Sequence, residues 1–321
     1  MQNTGIEFPA QGEMAFFDLG PPPAPAPTEI RIRTLYSGVT NGTERHALMN
    51  DFGSTNYPTR AGYQHVGVVD GVGNRVEAFS VGDVIFLGVH GGHRGWHLVN
   101  VETTNERARL CIKLPDDVDR EFCALFGVAG VGMRHSRRIR VGPAHNVWVA
   151  GLGLIGQSVA QASRALGAYV TVTDVNPRRL EIAKTLGAHR VIDISKPSEN
   201  EALKHRAPYD RIVDACGAPT LFEDIYRNDL LALYGVIGAL AGRGKTKFHQ
   251  SMLHSKRASI ESSSHFTLED LQILLHFVRL GTIRIAPLVT HRVSITEAPP
   301  IYETMKNSPE TLLGVIFDWK S

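Results

Sequence analysis

The pattern of hydrophobic and polar positions changes character near residue 120. Before that point, short segments such as Glu29 to Leu35 and Val66 to Gly73 are β-rich and are separated by Gly, Asp and Asn. Alternation with a period of two predicts half-buried strands, and short strands bounded by such turns are typical of a small barrel-like domain. We therefore expect a β-rich first domain without long helices.

After residue 120, apolar segments of helix length and strand length follow one another. A helix is predicted from Asp119 to Arg137, a buried strand from His145 to Ala150, and further helices and strands as far as Ser262. Strands that alternate with helices of this length form a parallel sheet with crossover helices. The second domain is therefore predicted to be α/β.

The last part of the chain is predicted to serve both domains. Leu268 to Leu280 has the pattern of a helix, opened by Thr267 as N-cap with Asp270 three residues on. A strand, a helix and a strand follow, and we expect them to return to the first domain, which otherwise lacks helices to cover its sheet. The predicted domains are 1–122 for substrate, 123–265 for the nucleotide, and 266–321 for the last helix and the return.

Composition and charge narrow the class of protein. The chain has 34 Lys and Arg against 32 Asp and Glu, a net charge of +2, and no dense basic run, so no nucleic acid partner is expected. Its apolar runs are too short to span a bilayer, and the first nine residues lack a basic segment followed by an apolar one, so we expect a cytoplasmic protein without a membrane partner. Three cysteines without a Cys-x-x-Cys pair exclude a disulfide scaffold and a four-thiolate zinc lobe.

The strongest motif is a Gly-x-Gly-x-x-Gly segment between a buried strand and an apolar helix. Its glycines permit a tight turn, close approach of the backbone to a pyrophosphate, and close packing of the helix on the strand, while the helix N-terminus offers free N–H groups to the anion. The predicted cofactor-binding residues here are Gly151, Gly153, Leu154, Ile155 and Gly156.

Asp174 ends the next predicted strand, where a carboxylate can accept hydrogen bonds from both hydroxyls of the adenosine ribose. A carboxylate there repels a 2′-phosphate, so the sequence favours NAD over NADP. Arg178 or Arg179 could still take a phosphate, and we expect Arg179 to lie against the adenine. Cys216 follows a strand at the cofactor edge and is predicted to be a small packing residue rather than a nucleophile.

The chain resembles the medium-chain dehydrogenase/reductase superfamily over essentially its whole length. The resemblance is carried by Gly62 to Val69, Val81 to Ile85, Gly151 to Gly156 with Leu166 to Ala168, and Leu186 to Ala188. It implies an α/β fold made of a GroES-like β-rich catalytic domain and a Rossmann domain with a doubly wound parallel sheet. It also implies a homodimer.

Many members of that superfamily hold a catalytic zinc, whose ligand positions this sequence has changed. The first cysteine position falls at Thr40 or Asn41, the histidine position at Tyr63, and the later cysteine position near Val128. Zinc needs three protein ligands of N, S or O type, and the remaining residues cannot supply them in that arrangement. We expect no zinc and no other metal.

Two features of the alcohol dehydrogenase branch are retained if Gly42 to Glu44 is matched to its Gly-Ser-Asp. The resemblance then puts Thr43 at the substrate oxygen and His46 where a histidine passes the proton to solvent, and Arg45 at a position that can approach the pyrophosphate. We expect Tyr63 and Thr43 to hydrogen-bond the substrate oxygen and His46 to accept its proton, directly or through the cofactor ribose. Tyrosine is a good donor, and histidine suits proton transfer near neutral pH.

The segment from His90 to His97 contains three histidines in eight residues. No acidic or thiol partner lies nearby in the sequence, so a metal site is not favoured. We predict that this loop borders the substrate pocket, with His93 or Trp96 shaping it.

The leading hypothesis is a zinc-independent, NAD-dependent dehydrogenase that acts on a secondary alcohol or its ketone. A short loop is similar to the zinc-free bacteriochlorophyllide a dehydrogenase group, through Ser37-Gly38, Gly42 to Arg45 and Gly62-Tyr63. This similarity does not identify the substrate. One alternative is a zinc-free enoyl or quinone reductase that uses NAD(P)H. Another is a nucleotide-binding protein without catalysis.

Overall fold

The computed structural model describes residues 3–240 and 246–320. Its strands are β1 (Thr4–Glu7), β2 (Ala15–Asp18), β3 (Glu29–Val39), β4 (His65–Val72), β5 (Val84–Leu87), β6 (Trp96–Asn100), β7 (Cys111–Lys113), β8 (Asn146–Ala150), β9 (Tyr169–Asp174), β10 (Arg190–Asp193), β11 (Tyr209–Asp214), β12 (Leu231–Ala239), β13 (Ser259–Ser262), β14 (Val289–Ser294) and β15 (Gly314–Asp318). Its α-helices are α1 (Asn41–Met49), α2 (Phe126–Arg138), α3 (Leu154–Ala165), α4 (Pro177–Thr185), α5 (Pro197–Lys204), α6 (Leu221–Arg227), α7 (Gln250–Lys256), α8 (Leu268–Arg279) and α9 (Ala298–Asn307).

Contacts along the chain define two units. The first unit comprises Met1–Gly127, Thr267–Gln272 and Leu288–Ser321, and the second comprises Val128–Phe266 and Ile273–Pro287. Short 3-10 turns occur at Glu106–Ala108, Phe122–Leu125, Ala286–Leu288, Ile295–Glu297 and Pro309–Thr311.

The first unit is built on a mostly antiparallel sheet with the order β14-β15-β3-β4-β5-β7, and β6 pairs with β3. The C-terminal strand β15 runs antiparallel to β3, so the end of the chain completes the sheet that its beginning starts. Helices α1 and α9 pack on it through an apolar cluster that includes Leu48, Ile301, Met305 and Phe317. The predicted β-rich, GroES-like domain is confirmed.

The second unit is a parallel sheet with the order β10-β9-β8-β11-β12-β13. Its central strands are buried on both faces, which explains the continuous apolar runs in the sequence. From β8 the chain moves outward to β9 and later returns to the other side of β8 with β11. In sheets of this kind, ligands bind beyond the carboxyl ends of the strands at that reversal. The predicted Rossmann-type α/β domain is confirmed.

Local signals in the sequence correspond to hydrogen bonds in the structure. The N–H of Thr267 donates to Asp270 Oδ2 at 2.9 Å, and the N–H of Asp270 donates to Thr267 Oγ1 at 3.3 Å, which is the predicted cap of α8. The pairing of β12 with β11 is interrupted by a shift of register, and Leu233 and Tyr234 bulge out there and are more than half exposed. Within 3–240 and 246–320, no helix has both the length and the apolar character that crossing a membrane requires.

Candidate active-site residues and the dinucleotide site

A glycine-rich turn joins β8 to α3 in the second unit. Gly151 has φ of +92°, a left-handed conformation that favours glycine, and a Cβ there would lie 2.6 Å from Cys216 Cβ. A Cβ on Gly156 would lie 1.8 Å from the carbonyl oxygen of Gly151. Neither position can accept a side chain without moving the turn, so the helix and the strand approach each other as the motif predicts.

Gly153 differs from its two neighbours in the motif, because a Cβ there would meet no atom within 4 Å. It is the N-cap of α3 and has no side-chain cap. The N–H groups of Leu154 and Ile155, in the first turn, have no partner within the helix and offer hydrogen bonds and a positive dipole end to an anion. The space beside Gly153 is therefore open to a phosphate group.

Asp174 ends β9 and is 7% exposed. Its Oδ2 accepts a hydrogen bond from the N–H of Leu152 at 2.6 Å, and its Oδ1 accepts from the N–H groups of Val175 and Asn176, both at 2.8 Å. These three bonds fix the carboxylate at the mouth of the glycine turn. The sequence predicted the residue but not this anchoring by the backbone.

The side chain of Asn176 caps the N-terminus of α4 by accepting hydrogen bonds from the N–H groups of Arg178 at 3.0 Å and Arg179 at 3.3 Å. Arg178 is exposed and Arg179 is half-buried. Both arginine side chains therefore project from the first turn of α4, the helix that comes after Asp174 in the chain.

A cavity of about 530 Å³ lies beside these groups in the second unit. Gly151, Asp174 and Cys216 line it, together with apolar side chains from α5, α6 and the strand ends. Cys216 is half-buried, and burial raises the pKa of its thiol, which keeps the sulfur protonated at neutral pH. Three of the predicted cofactor-binding residues, Gly151, Asp174 and Cys216, thus line one cavity, whose size and apolar lining suit a nucleoside.

In the first unit, three side chains at the predicted zinc-ligand segments lie together. The side chain of Tyr63 hydrogen-bonds that of Thr40, and Gln64 Nε2 donates to Thr40 Oγ1 at 3.1 Å. Thr40 and Gln64 are buried, and Tyr63 is 8% exposed. Burial and the nearby Glu44 charge raise the pKa of Tyr63 to about 12. The cluster therefore presents neutral hydrogen-bonding groups.

Gly127 closes one side of this cluster. A Cβ at Gly127 would lie 2.7 Å from Gln64 Oε1 and 2.8 Å from Tyr63 Cε2. A residue with a side chain, including any metal ligand, therefore does not fit at position 127 unless Tyr63 or Gln64 moves.

Beneath the cluster lies a buried network centred on Glu44, which is 0% exposed. Its Oε1 accepts from the N–H of Thr40 at 2.7 Å, and its Oε2 accepts from the hydroxyl of Tyr302 at 2.7 Å and lies 3.1 Å from His93 Nε2. His93 Nδ1 lies 2.8 Å from Ser37 Oγ, which also accepts from Trp319 Nε1 at 2.9 Å. The network joins the start of α1 to the C-terminal return.

The structure places Thr43 and Thr40 differently. Thr43 is exposed on α1, whereas Thr40, one residue before the helix, is 4% exposed and contacts Tyr63. Helical geometry turns Thr40 and Glu44 to the same inner face, and position 43 points elsewhere. The hydroxyl paired with Tyr63 therefore belongs to Thr40.

Arg45 and His46 lie half-buried on α1 and share a partner that the sequence analysis missed. Arg45 Nη1 lies 2.5 Å and His46 Nδ1 2.7 Å from Asp51 Oδ2. Arg45, which was expected near the pyrophosphate, is thus in an ion pair within the first unit.

The histidine-rich loop also differs from its expected role. His93 is 0% exposed and both of its ring nitrogens are hydrogen-bonded, so it supports Glu44 and Ser37 instead of lining a pocket. Trp96 is half-buried on β6, and its indole N–H donates to the carbonyl of Gly20 at 3.1 Å, which is a packing role. Their spacing in the sequence held no signal for burial, because a glycine-rich loop can turn its side chains either way.

The described ranges contain no group of three or more His, Cys, Asp or Glu side chains arranged to hold a metal ion. His65 and His97 are buried with ring centroids 4.3 Å apart, and burial lowers the pKa of both, that of His97 to about 3. His65 and His97 are therefore neutral core residues.

Two family models match the chain. One described as "Alcohol dehydrogenase GroES-like domain" matches residues 26–148, and one described as "Zinc-binding dehydrogenase" matches residues 155–279. The first covers most of the β-rich unit and the second covers the glycine turn and the parallel sheet that follows.

Relatives and solved structures agree with these matches. L-idonate 5-dehydrogenase of Vitis vinifera is 26% identical, with 86% of this chain and 83% of that protein covered. Human sorbitol dehydrogenase is 25% identical, with 89% and 88% covered. An Escherichia coli oxidoreductase/dehydrogenase of unknown specificity superposes with a TM-score of 0.85 at 20% identity, with 98% of each chain covered.

The two family models and the polyol dehydrogenases among the relatives support the medium-chain dehydrogenase/reductase superfamily, which the sequence resemblance indicated. They also support an oxidoreductase that acts on alcohols. A solved structure of the same fold, described as a short chain alcohol dehydrogenase from Escherichia coli CFT073 in complex with NADH, has a TM-score of 0.85 at 20% identity, with 98% of this chain and 99% of that chain covered.

Proposed function

We propose that this protein is a dehydrogenase that uses NAD(H), acts on a secondary alcohol or the corresponding ketone, and needs no catalytic zinc. The observation that carries the proposal is the cluster of three neutral side chains Thr40, Tyr63 and Gln64, of which Thr40 and Tyr63 stand where the resemblance puts metal ligands.

The donor set of the cluster does not fit zinc. Zinc in proteins is held by thiolate, imidazole or carboxylate groups. The cluster offers a hydroxyl, a carboxamide and a phenol whose pKa is raised to about 12, none of which is anionic near neutral pH. Glu44, the nearest carboxylate, already accepts from Thr40 and Tyr302 and lies beside His93. A zinc ion would therefore find weak ligands and no free charge.

The same groups suit the polarisation of a substrate oxygen. A phenol that stays protonated donates a hydrogen bond well and is a poor base, so Tyr63 is assigned the task of donating to the alcohol or ketone oxygen. Thr40, which contacts Tyr63 and Gln64, fixes the direction of that donor. His46 on α1 is assigned the alcohol proton, because its half-exposed ring can exchange protons with solvent.

The second unit supplies the cofactor site. The open space at Gly153 and the free N–H groups of α3 fit a pyrophosphate, and the fixed carboxylate of Asp174 fits the two hydroxyls of a ribose. The same carboxylate disfavours a 2′-phosphate, which is the support for NAD. When bound, the nicotinamide supplies the hydride acceptor or donor.

Polyols are the substrate class to search first. The relatives in Vitis vinifera and human are named L-idonate 5-dehydrogenase and sorbitol dehydrogenase, and both names describe oxidation of a hydroxyl group on a polyhydroxy chain. The proposal extends that class to this chain.

The test is a panel of polyols and secondary alcohols assayed with NAD, using wild type, Tyr63→Phe and Tyr226→Phe. Tyr226 is the control because it lies in the second unit, where its ring stacks on His249 and does not contact the cluster. Loss of the Tyr63 donor is expected to lower kcat by about a hundredfold, whereas Tyr226→Phe is expected to keep most of the activity. An unchanged kcat in Tyr63→Phe would contradict the assignment.

Fluorescence titration with NADH and with NADPH separates this proposal from its alternative before a substrate is known. Tighter NADH binding supports Asp174 as the ribose ligand. Tighter NADPH binding would mean that Arg178 or Arg179 takes the phosphate, and a zinc-free enoyl or quinone reductase would then be the better hypothesis.

A further inference from the structure

We infer that Asp51 is a positioning residue for His46 and that the two form a dyad in which the carboxylate selects the tautomer of the imidazole. The inference rests on the proposed role of His46 as proton acceptor and adds the residue that prepares it.

The contact between the two side chains is direct. His46 Nδ1 lies 2.7 Å from Asp51 Oδ2, a short distance for a hydrogen bond between an imidazole and a carboxylate. The ring of His46 also lies against Phe52, with centroids 4.4 Å apart. Two consecutive residues thus hold the ring, one at its nitrogen and one at its face.

The turn after α1 determines where Asp51 lies. Asn50 ends the helix in the left-handed conformation with φ of 54°, and its side chain accepts a hydrogen bond from the N–H of Thr55 at 2.9 Å. The hydroxyl of Tyr57 donates to the carbonyls of Ala47 and Leu48 at 2.9 and 3.0 Å. The segment after the helix is therefore tied back to the last turn of α1, and Asp51 is carried to His46.

The geometry has a chemical consequence for His46. A carboxylate accepts but does not donate, so the proton of neutral His46 lies on Nδ1 and the lone pair lies on Nε2. Nε2 is the atom that can take a proton: the substrate O–H bond breaks and an Nε2–H bond forms. The electron pair of the O–H bond then forms the C=O bond as the carbinol C–H bond breaks, and a bound nicotinamide would accept that hydrogen as hydride. The imidazolium that results is stabilised by Asp51.

Arg45 balances the negative charge of Asp51 in the dyad. Its Nη1 contacts the same oxygen, Asp51 Oδ2, so the carboxylate and the guanidinium compensate each other while His46 is neutral. Arg45 and Asp51 are the charged groups that the structure brings to His46, and Glu44, on the same helix, is turned inward and occupied by Thr40, His93 and Tyr302.

The experiment combines kinetics with nitrogen NMR of the imidazole, on the full-length protein as wild type, Asp51→Asn, Asp51→Glu, His46→Ala and the double variant Asp51→Asn with His46→Ala. Asp51→Asn is expected to lower kcat/KM about tenfold, less than the loss of a general base of about a hundredfold in His46→Ala. Asp51→Glu is expected to recover part of the rate. Asp70→Asn is the control, because Asp70 pairs with Arg31 elsewhere in the first unit.

The NMR measurement needs no substrate and therefore separates the dyad from the proposed function. In wild type the Nδ1–H tautomer of His46 should dominate, and Asp51→Asn should shift the population toward Nε2–H. An unchanged tautomer in Asp51→Asn, or an equal fold-loss from Asp51→Asn with and without His46, would overturn the inference. A wild-type rate in His46→Ala would refute the proton acceptor in the proposed function, and Asp51 would lose its role with it.

Discussion

Replacement of Glu44 by Gln is expected to destabilise the first unit strongly, because Glu44 is a fully buried acceptor. It accepts from the N–H of Thr40 and the hydroxyl of Tyr302, and it pairs with His93. Glutamine keeps the shape but replaces one acceptor oxygen by an NH₂ group that faces existing donors.

The magnitude follows from the donors that lose their acceptor. Each buried donor left without a partner costs about 1 to 3 kcal/mol. Glutamine can satisfy one side of the network, so one or two of the three contacts are lost, and we expect the free energy of unfolding to fall by about 2 to 4 kcal/mol. Glu44→Ala would lose all three and add a cavity, so its effect should be larger.

The assay is urea unfolding followed by tryptophan fluorescence in a Trp148→Phe background, where Trp96 and Trp319, both in the first unit, report the transition. Asp70→Asn serves as control, since Asp70 forms a partly exposed ion pair whose loss should change stability by at most about 1 kcal/mol. An effect of Glu44→Gln no larger than that of the control would refute the argument that the network is tightly satisfied.

Other predictions concern pH and the glycine turn. His97 has a pKa of about 3 in the folded protein, which is below the pKa of about 6.5 of an unfolded histidine. Between these values the unfolded chain binds the proton more readily, so the free energy of unfolding is highest above pH 6.5 and falls as the pH drops toward 3. At pH 5.5 urea unfolding should therefore show a loss of about 1 kcal/mol in the free energy of unfolding relative to pH 7, and His97→Gln should remove that loss. An equal pH dependence in the variant would contradict this. Gly153→Ala should weaken NADH binding at least about tenfold with an unchanged Tm, because its Cβ meets no protein atom but occupies the phosphate space. Gly156→Ala should lower Tm, because its Cβ would strike the carbonyl of Gly151; calorimetry that ranks the two variants in the opposite order would refute this.

The sequence predicted those parts of the protein that local signals encode. The glycine turn and Asp174 were found because a strand, a turn and a helix are adjacent in the chain and each glycine has a steric reason. The parallel sheet followed from continuous apolar strands, and the cap of α8 from Thr267 and Asp270.

The polar network of the first unit depends on contacts that no local pattern contains. Glu44 meets His93 across 49 positions and Tyr302 across 258 positions of the sequence. The choice between Thr40 and Thr43 depends on where α1 begins, which a segment of two turns does not define in the sequence. The same limit hid Asp51, whose partner is set by the turn at Asn50.

The central claim is oxidation of an alcohol without zinc, and the most direct test measures metal content and turnover on one preparation. The purified protein is analysed for zinc and assayed for NAD reduction with the active polyol, before and after exhaustive treatment with a chelator. We expect a rate per chain that does not depend on zinc content and survives the chelator. A rate that rises in proportion to bound zinc, disappears with the chelator and returns when zinc is added would contradict it.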